Sequence, residues 1–199
     1  YLKGIPNRDV LMKELLSRIN YERYFVPQEE NGVLVFERNS GNQNQDVIYV
    51  QRNGVDKVLL DPNKLSKDGT VGVVTTELSR NGELLLYGLT RGGSDWIEWR
   101  ARNTRTGRDL KDVVKWSKFG VGFLDRDAKG IYYLRYPEPK AGQELTGFTV
   151  GGAAYYHKFG TDQKEDKLIY GLPDKPDWFV APYPDAEKRT VFFSVEPAG

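Results

Sequence analysis

The chain has 199 residues and a nearly balanced charge, with 29 Lys and Arg against 28 Asp and Glu and a formal net charge of +1. This balance gives no electrostatic case for binding nucleic acid or an anionic membrane surface. The absence of cysteine excludes disulfides, thiolate nucleophiles and cysteine-based zinc sites. The longest apolar runs are far shorter than the roughly 20 residues of a membrane-spanning helix. We therefore expect no nucleic-acid partner, no membrane span, no metal and no cofactor.

One helix is predicted near the N-terminus, from about Asn7 to Asn20. Asn7 can cap the free backbone N–H groups of the first turn. Apolar residues then recur at helical spacing on one face, which we expect to pack against the rest of the fold; they are Val10, Leu11, Leu15, Leu16 and Ile19. Residues 1–22 are accordingly interpreted as a helical lead-in.

The remainder of the chain has the pattern of short β strands. Runs of aromatic and β-branched residues alternate with turn residues, and Asn-Gly pairs at Asn31-Gly32, Asn53-Gly54 and Asn81-Gly82 favour tight hairpins. The predicted strands fall into four sets. They are 24–26, 33–37, 47–51 and 55–60; then 71–78, 83–88, 97–102 and 110–114; then 119–124, 131–135, 153–159 and 167–171; and finally 179–183 and 191–195.

The strand sets repeat with a regular period. The turn glycines Gly32, Gly82 and Gly130 are spaced by 50 and 48 residues, close to the length of a propeller blade. The predicted fold class is therefore all-β with one N-terminal helix, an incomplete β-propeller of about three and a half four-stranded blades. Its blades are placed at about 23–61, 71–114 and 116–172, with a partial blade at 178–199, and residues 140–152 are expected to form an inserted loop.

Closed propellers have about 4–8 blades, so this chain is short of a ring. The outermost sheets would expose faces that normally pack against neighbouring blades, and such apolar patches promote association. We therefore expect either a piece of a larger protein or self-association through the open blade faces.

The residue types needed for catalysis are scarce. His157 is the only histidine, so it would have to be the base of any Ser-His-Asp triad, yet it lies in a strand pattern and no Gly-x-Ser-x-Gly elbow exists. We interpret it as a structural strand histidine.

The segment 125–130 is interpreted as a hairpin turn rather than a calcium loop, because Lys129 occupies a ligand position. Carboxylates such as Glu165 and Asp166 are interpreted as solvated turn residues. No catalytic and no metal-binding residue is therefore predicted.

Residues 39–71 resemble the first propeller blade of the prolyl oligopeptidases, serine peptidases that cleave short peptides after proline. Three later segments fit the same pattern in the same order: Tyr87-Gly88-Leu89 with Gly93-Ser94-Asp95-Trp96, Lys129-Gly130-Ile131-Tyr132-Tyr133 with Arg135-Tyr136-Pro137, and Tyr155-Tyr156-His157-Lys158 with Gly160-Thr161-Asp162-Gln163. The resemblance implies a seven-bladed propeller that gates access to a C-terminal α/β-hydrolase domain. That domain holds the nucleophile, acid and base in the family, and no residue here matches its motifs.

Two aromatic residues receive a role from the resemblance. Phe119, in Trp-Ser-Lys-Phe, aligns with a phenylalanine that lines the family's substrate pocket near the domain interface. Phe179, after Asp177-Trp178, aligns with an apolar residue of a neighbouring subsite. Packing between blades is the alternative for both. The pattern also departs from the family at two turns, where Ala128 replaces the usual glycine and Ala186-Glu187-Lys188 contains none.

The resemblance therefore predicts a non-catalytic gating segment of a peptidase for short proline-containing peptides, with the α/β-hydrolase domain as its partner. This chain alone is expected not to be an enzyme. The alternative is a free-standing or degenerate propeller-like binding module. A cytoplasmic location is expected, or a periplasmic one if the parent protein carries a signal peptide.

Overall fold

The computed structural model describes residues 4–144 and 149–197. Within these ranges the chain forms one helix, α1, followed by short antiparallel strands. The elements are α1 Arg8–Ile19, β1 Arg23–Tyr24, β2 Gln28–Glu30, β3 Val33–Asn39, β4 Val47–Arg52, β5 Val55–Leu60, β6 Val71–Leu78, β7 Leu84–Arg91, β8 Trp96–Asn103, β9 Val114–Lys118, β10 Gly122–Leu124, β11 Gly130–Arg135, β12 Ala153–Lys158, β13 Lys167–Tyr170, β14 Trp178–Pro184 and β15 Val191–Pro197. Two short 3-10 helices lie at Pro62–Lys64 and Gln163–Glu165.

The strands form four antiparallel sheets that follow one another along the chain. In the first sheet β3, β4 and β5 are consecutive, and β1 and β2 share the outer edge of β3. The second sheet has the order β6-β7-β8-β9, the third β10-β11-β12-β13, and the fourth contains β14 and β15. The described residues form no closed ring. The predicted fold class, an incomplete β-propeller with an N-terminal helix, is confirmed.

The hydrophobic core lies between sheets rather than within one of them. Val33, Ile48 and Leu85 belong to the cluster between the first and second sheets. Between the second and third sheets Trp99 packs with residues such as Ile131. A smaller cluster joins the third and fourth sheets, and its buried members are Val121, Leu134, Tyr136 and Ala181. β7 is covered by the first sheet on one face and by the third on the other, so it is buried at successive positions from Leu85 to Leu89, whereas β8 alternates between buried and more exposed positions.

Two predicted strands have the wrong bounds: 119–124 begins too early, since β10 spans only Gly122–Leu124, and 110–114 lies largely outside a strand. The range 110–114 was expected to close the second sheet, but β9 spans Val114–Lys118, and Lys118 pairs with Trp96 of β8. The charged pair Lys111-Asp112 precedes the strand, and a register shift between Ile97 and Trp99 moves the pairing later in the chain. Residues 116–118, which the sequence assigned to the third blade, therefore belong to the second sheet.

The predicted helix is present, but two expectations about it are wrong. Asn7 adopts a left-handed backbone with φ of 60° and makes no capping hydrogen bond through its side chain. The five apolar residues of the predicted face are not packed against the sheets, since each is 53–66% exposed. Burial needs a partner surface, and the described part of the chain places none against this face.

The predicted inserted loop at 140–152 lies only partly in the described residues. Residues 140–144 and 149–152 form neither helix nor strand, and residues 145–148 lie outside the described ranges. Among the described helices, none combines the length and apolar character needed to cross a membrane.

Candidate functional site

Phe119 lies in a tight turn that follows β9. Phe119 and Gly120 have φ values of 62° and 69°, so two consecutive residues occupy the left-handed region. A bulky side chain is rare in that conformation, and such strain often occurs at functional sites. The turn projects the Phe119 ring outward, and 62% of the residue is exposed.

Phe179 comes from a different sheet but reaches the same place. It is the second residue of β14 and pairs with Glu196 of β15. Its ring centroid lies 5.8 Å from that of Phe119, with the two planes inclined at 68°. The ring of Tyr136 lies 6.3 Å from Phe119 on another side. The structure thus brings together the two residues that the resemblance nominated.

These rings border a cavity of about 510 Å³, which we call the aromatic pocket. Its lining residues are Phe119, Tyr136, Thr149, Pro176, Asp177, Trp178, Phe179, Glu196 and Pro197. Burial raises the pKa of Tyr136 to about 12, so its phenol is neutral near pH 7. The aromatic pocket therefore offers mainly apolar and aromatic surface, with the carboxylates of Asp177 and Glu196 as its acidic groups. Cavities of a few hundred Å³ with such linings are typical of small-molecule and peptide side-chain sites.

Two tryptophan residues, Trp96 and Trp116, pack next to the aromatic pocket. Trp116, in a left-handed conformation with φ of 63°, sits at the bulge of β9, and its ring meets Trp96 edge-on at 5.6 Å. The backbone N–H of Tyr136 donates to the carbonyl oxygen of Trp116 at 2.8 Å. The Lys118 ammonium lies 4.3 Å from the Trp96 ring centroid and donates to Thr149 at 2.8 Å. These contacts connect the second sheet to the third beside Phe119.

Sequence reasoning missed several members of this site. Tyr136 and Trp178 were noted only as parts of family-like segments, and their contribution depends on how three different sheets meet. The sequence showed only that Tyr136 is adjacent to Pro137 and that Trp178 is adjacent to Phe179. That signal does not predict that the two segments converge.

The predicted hairpin turn at 125–130 is confirmed. The backbone N–H of Asp125 donates to Gly130 O at 2.9 Å, and the N–H of Ala128 donates to Asp125 O at 3.2 Å. The Asp125 carboxylate accepts from the Tyr156 hydroxyl at 2.5 Å. Within residues 4–144 and 149–197 no three His, Cys, Asp or Glu side chains are grouped so as to hold a metal ion.

His157 lies in β12, as the strand interpretation expected, and is buried. Its ring nitrogens face two carboxylates, with Nδ1 at 2.6 Å from Asp166 and Nε2 at 3.2 Å from Asp112. The interpretation of Asp166 as a solvated turn residue is wrong, because its side chain is 0% exposed. The short spacing between His157 and Asp166 was the only signal for this contact.

Successive antiparallel sheets packed face to face, with an apolar cavity where they meet, define a propeller-type domain. Residues 1–198 match the sequence profile described as "Prolyl oligopeptidase, N-terminal beta-propeller domain". The chain belongs to this family, and it corresponds to the N-terminal propeller portion of prolyl oligopeptidases. The predicted resemblance is therefore confirmed.

Individual relatives agree with the family assignment. The chain is 34% identical over 200 residues to the prolyl endopeptidase of Elizabethkingia meningoseptica, a match that covers 100% of this chain and 28% of the relative. It is 30% identical over 202 residues to the dual function macrocyclase-peptidase POPB of Galerina marginata, covering 89% of this chain and 27% of the relative. The chain thus spans less than a third of the length of these relatives.

The fold is also similar to solved structures. Prolyl oligopeptidase B from Galerina marginata, bound to a 25mer macrocyclization substrate, superimposes with a TM-score of 0.88 at 25% identity. The match covers 98% of this chain and 30% of that protein.

Proposed function

We propose that this chain is the non-catalytic, access-limiting propeller segment of a prolyl oligopeptidase-type serine peptidase that cleaves short peptides after proline. The observation that carries the proposal is the meeting of Phe119 and Phe179 at the aromatic pocket, with their ring centroids 5.8 Å apart. The segment contributes apolar surface for a substrate side chain, and the separate α/β-hydrolase domain contributes the nucleophile, base and oxyanion stabilisation.

The chemistry of the aromatic pocket suits such a substrate. A proline ring and its apolar neighbours gain free energy by leaving water, at roughly 25 cal/mol per Å² of apolar surface buried. Phe119 has exposed ring surface available for this contact. Its turn fixes the position of that surface before a peptide arrives, which lowers the entropic cost of binding.

Exposed apolar surface elsewhere supports a partner domain. The apolar face of α1, defined by Val10, Leu11, Leu15, Leu16 and Ile19, is uncovered in the described part of the chain. Surfaces of this kind mark interaction sites in proteins. We infer that the hydrolase domain or another part of the parent protein covers it.

The proposed function is tested by kinetics of the complete peptidase that carries this chain. Phe119→Ala is expected to lower kcat/KM for a Gly-Pro reporter peptide by about tenfold, which corresponds to about 1.4 kcal/mol of lost transition-state stabilisation. Because the Phe119 side chain is largely exposed, the free energy of unfolding should change little.

Phe192→Ala is the matched control. Phe192 is 60% exposed, close to the value for Phe119, but it lies in β15 and outside the residues that line the aromatic pocket. Its substitution should leave kcat/KM unchanged. Equal losses in the two variants, or no loss in Phe119→Ala, would refute the pocket role. Cleavage of the reporter by the pure 199-residue chain would refute the non-catalytic assignment.

A further inference from the structure

A buried polar network joins the second and third sheets at His157. Asp112 lies between β8 and β9 of the second sheet, whereas His157 and Asp166 belong to β12 of the third sheet and to the segment before β13. The side chains of His157, Asp112 and Asp166 are 2%, 8% and 0% exposed. Charged groups buried to this extent need defined partners, so their proton positions can be derived from the contacts.

The orientation of the Gln163 side-chain amide determines the first proton position in the network. The backbone N–H of Lys115, on β9, donates to Gln163 Oε1 at 3.0 Å, and a backbone N–H can only donate. This contact fixes the orientation of the side-chain amide. Gln163 Nε2 then donates to the carbonyl oxygen of Lys115 at 2.9 Å and to the hydroxyl of Tyr133 at 3.0 Å.

Tyr133 passes this direction on to Asp166. Because its hydroxyl oxygen accepts from Gln163, its own proton is donated to Asp166 Oδ2, 2.6 Å away. Asp166 therefore acts as an acceptor on this oxygen. Its other oxygen lies 2.6 Å from His157 Nδ1, so that nitrogen carries a proton and donates it.

The second ring nitrogen of His157, Nε2, also lies beside a carboxylate oxygen. Asp112 Oδ1 accepts from the backbone N–H of Gly160 and lies 3.2 Å from His157 Nε2. A neutral imidazole has one donor nitrogen and one acceptor nitrogen, so it would leave one of the two carboxylates facing a lone pair. Only the imidazolium donates to both.

We propose that His157 is held as an imidazolium between Asp112 and Asp166, and that this charged clamp pins β9 of the second sheet to the third sheet. The clamp acts beside the two Gln163 bonds to Lys115 and the bond from Tyr136 to Trp116. β9 leads directly into the turn that presents Phe119. The clamp is nevertheless independent of the proposed function and would hold the two sheets together in a binding module as well.

The clamp makes the stability of the contact between the second and third sheets, which we call the seam, depend on pH. Burial lowers the pKa of His157, but hydrogen bonds to Asp166 and Asp112 and their negative charges outweigh it, so the pKa is raised above its ordinary value. Two further polar side chains, Tyr133 and Arg135 on β11, border the network. The Arg135 guanidinium donates to the carbonyl oxygen of Gln163 at 3.2 Å. Burial and Asp166 raise the pKa of Tyr133 as well, so it remains a neutral donor.

Proton binding to His157 is linked to folding, which determines how the stability changes with pH. A group with a raised folded-state pKa stabilises the fold fully below its unfolded pKa, about 6.5 for histidine, and that contribution disappears as the pH rises through the folded-state pKa. The clamp therefore contributes fully below about pH 6.5 and progressively less as the pH rises through the folded-state pKa. Alkaline conditions weaken it.

The direct test is NMR of the 199-residue chain, in which the single histidine makes the assignment unambiguous. A long-range ¹H–¹⁵N spectrum of the imidazole should show both nitrogens protonated at pH 7, with a titration midpoint above 6.5. A single neutral tautomer at pH 7 would overturn the proposal. This measurement needs no variant and so does not depend on a substituted chain folding.

A second test separates the clamp from general stability. Urea midpoints of the wild-type chain should fall between pH 6 and pH 9, whereas His157→Gln should lack that component of the pH dependence. Asp125→Asn is the matched control, because Asp125 accepts from Tyr156 in the same sheet without facing a histidine. It should keep the wild-type pH dependence.

Hydrogen exchange locates the effect. In His157→Gln the amide protons of Lys115 and Gly160, which donate into the seam, should exchange about tenfold faster, while amides between β6 and β7 stay protected. An unchanged pH dependence in His157→Gln, or a uniform acceleration over all sheets, would contradict the clamp.

Discussion

One departure from the family pattern, Ala128, lies at a strained backbone position. Ala128 occupies the position where the resemblance implies glycine, and its φ is 55°. An L-residue in the left-handed region costs roughly 1–2 kcal/mol, and glycine there loses part of that gain through its greater unfolded-state entropy. Ala128→Gly should therefore raise the free energy of unfolding by about 0.5–1 kcal/mol, measured by urea denaturation.

Ala186→Gly provides the comparison for Ala128. Ala186 lies in the corresponding turn of the fourth sheet, but its backbone is outside the left-handed region. That substitution should lower the free energy of unfolding by a few tenths of a kcal/mol, up to about 1 kcal/mol. Equal effects of the two substitutions would contradict the account of the Ala128 turn.

A close approach between sheets explains a second residue. A Cβ atom at Gly122 on β10 would lie 2.5 Å from ring atoms of Trp99, which is buried between the second and third sheets. Gly122→Ala should therefore cost about 1–3 kcal/mol of unfolding free energy, by the same measurement. Gly4→Ala, where the added Cβ meets no atom within 4 Å, should be near neutral.

Local motifs carried enough information to nominate Phe119 and Phe179, and their role in a substrate pocket stays a prediction. The structure places the two residues together. Asp166 was missed because nothing in the local sequence distinguishes a buried carboxylate from an exposed one. The same holds for Asp112, whose partner lies 45 positions away in the chain.

Polar contacts also connect the second and fourth sheets outside the hydrophobic cores. Lys188, in the turn between β14 and β15, donates to Glu77 of β6 at 2.6 Å, and Glu77 also accepts from the backbone N–H of Leu124 at 2.6 Å. Arg80 pairs with Glu187 at 3.1 Å and donates to Ala186 O at 2.8 Å. The turn of the fourth sheet is thus tied to the second sheet.

Loss of this tie should loosen the turn. Lys188→Ala leaves the partly buried Glu77 carboxylate without its cation, so trypsin should cleave at Arg189 several-fold faster, measured by mass spectrometry over a time course. Lys129→Ala is the control, since Lys129 lies in the equivalent turn of the third sheet and its ammonium forms an ion pair with the exposed Asp127. An unchanged cleavage rate at Arg189 would show that the tie does not hold the turn.

Strand prediction followed the strength of the alternating pattern. The predicted ranges 55–60 and 71–78 coincide with β5 and β6. β2, at Gln28–Glu30, was missed because a run of polar residues gives no periodic signal, and it forms only by pairing with β3. β9 was misplaced because a bulge shifts its register, and bulges are set by the partner strand.

The open end of the molecule determines its expected behaviour in solution. Apolar residues of β13 and β15 lie side by side, with the ring centroids of the exposed Tyr170 and the half-buried Phe193 5.0 Å apart. Leu168 and Phe192 are among the exposed side chains. Within the described residues β15 has no partner on its outer edge. Unpaired apolar strands of this kind favour association.

The 199-residue chain should therefore show a mass that rises with concentration in light scattering. Phe192→Lys should reduce this association, because a charge on an edge strand opposes pairing. A strictly monomeric chain across the concentration series would contradict the role of the open face.

The propeller architecture could be predicted from the chain because it repeats, with hairpin turns at nearly constant spacing and family-like segments in order. The packing of α1 could not, because its amphipathic pattern indicates that a face will be covered without indicating by what. Likewise, the aromatic pocket depends on how the second, third and fourth sheets meet. No local pattern in the sequence predicts that arrangement.

The central claim is that the aromatic pocket at Phe119 receives part of a short proline-containing peptide. Photo-crosslinking tests it most directly, with benzoylphenylalanine placed at position 119 or, as a control, at position 192 of the complete, catalytically inactivated protein. The account predicts that a labelled proline peptide crosslinks at position 119, that unlabelled peptide competes for this crosslink, and that position 192 is not labelled. Equal labelling at both positions, or none at position 119, would contradict it.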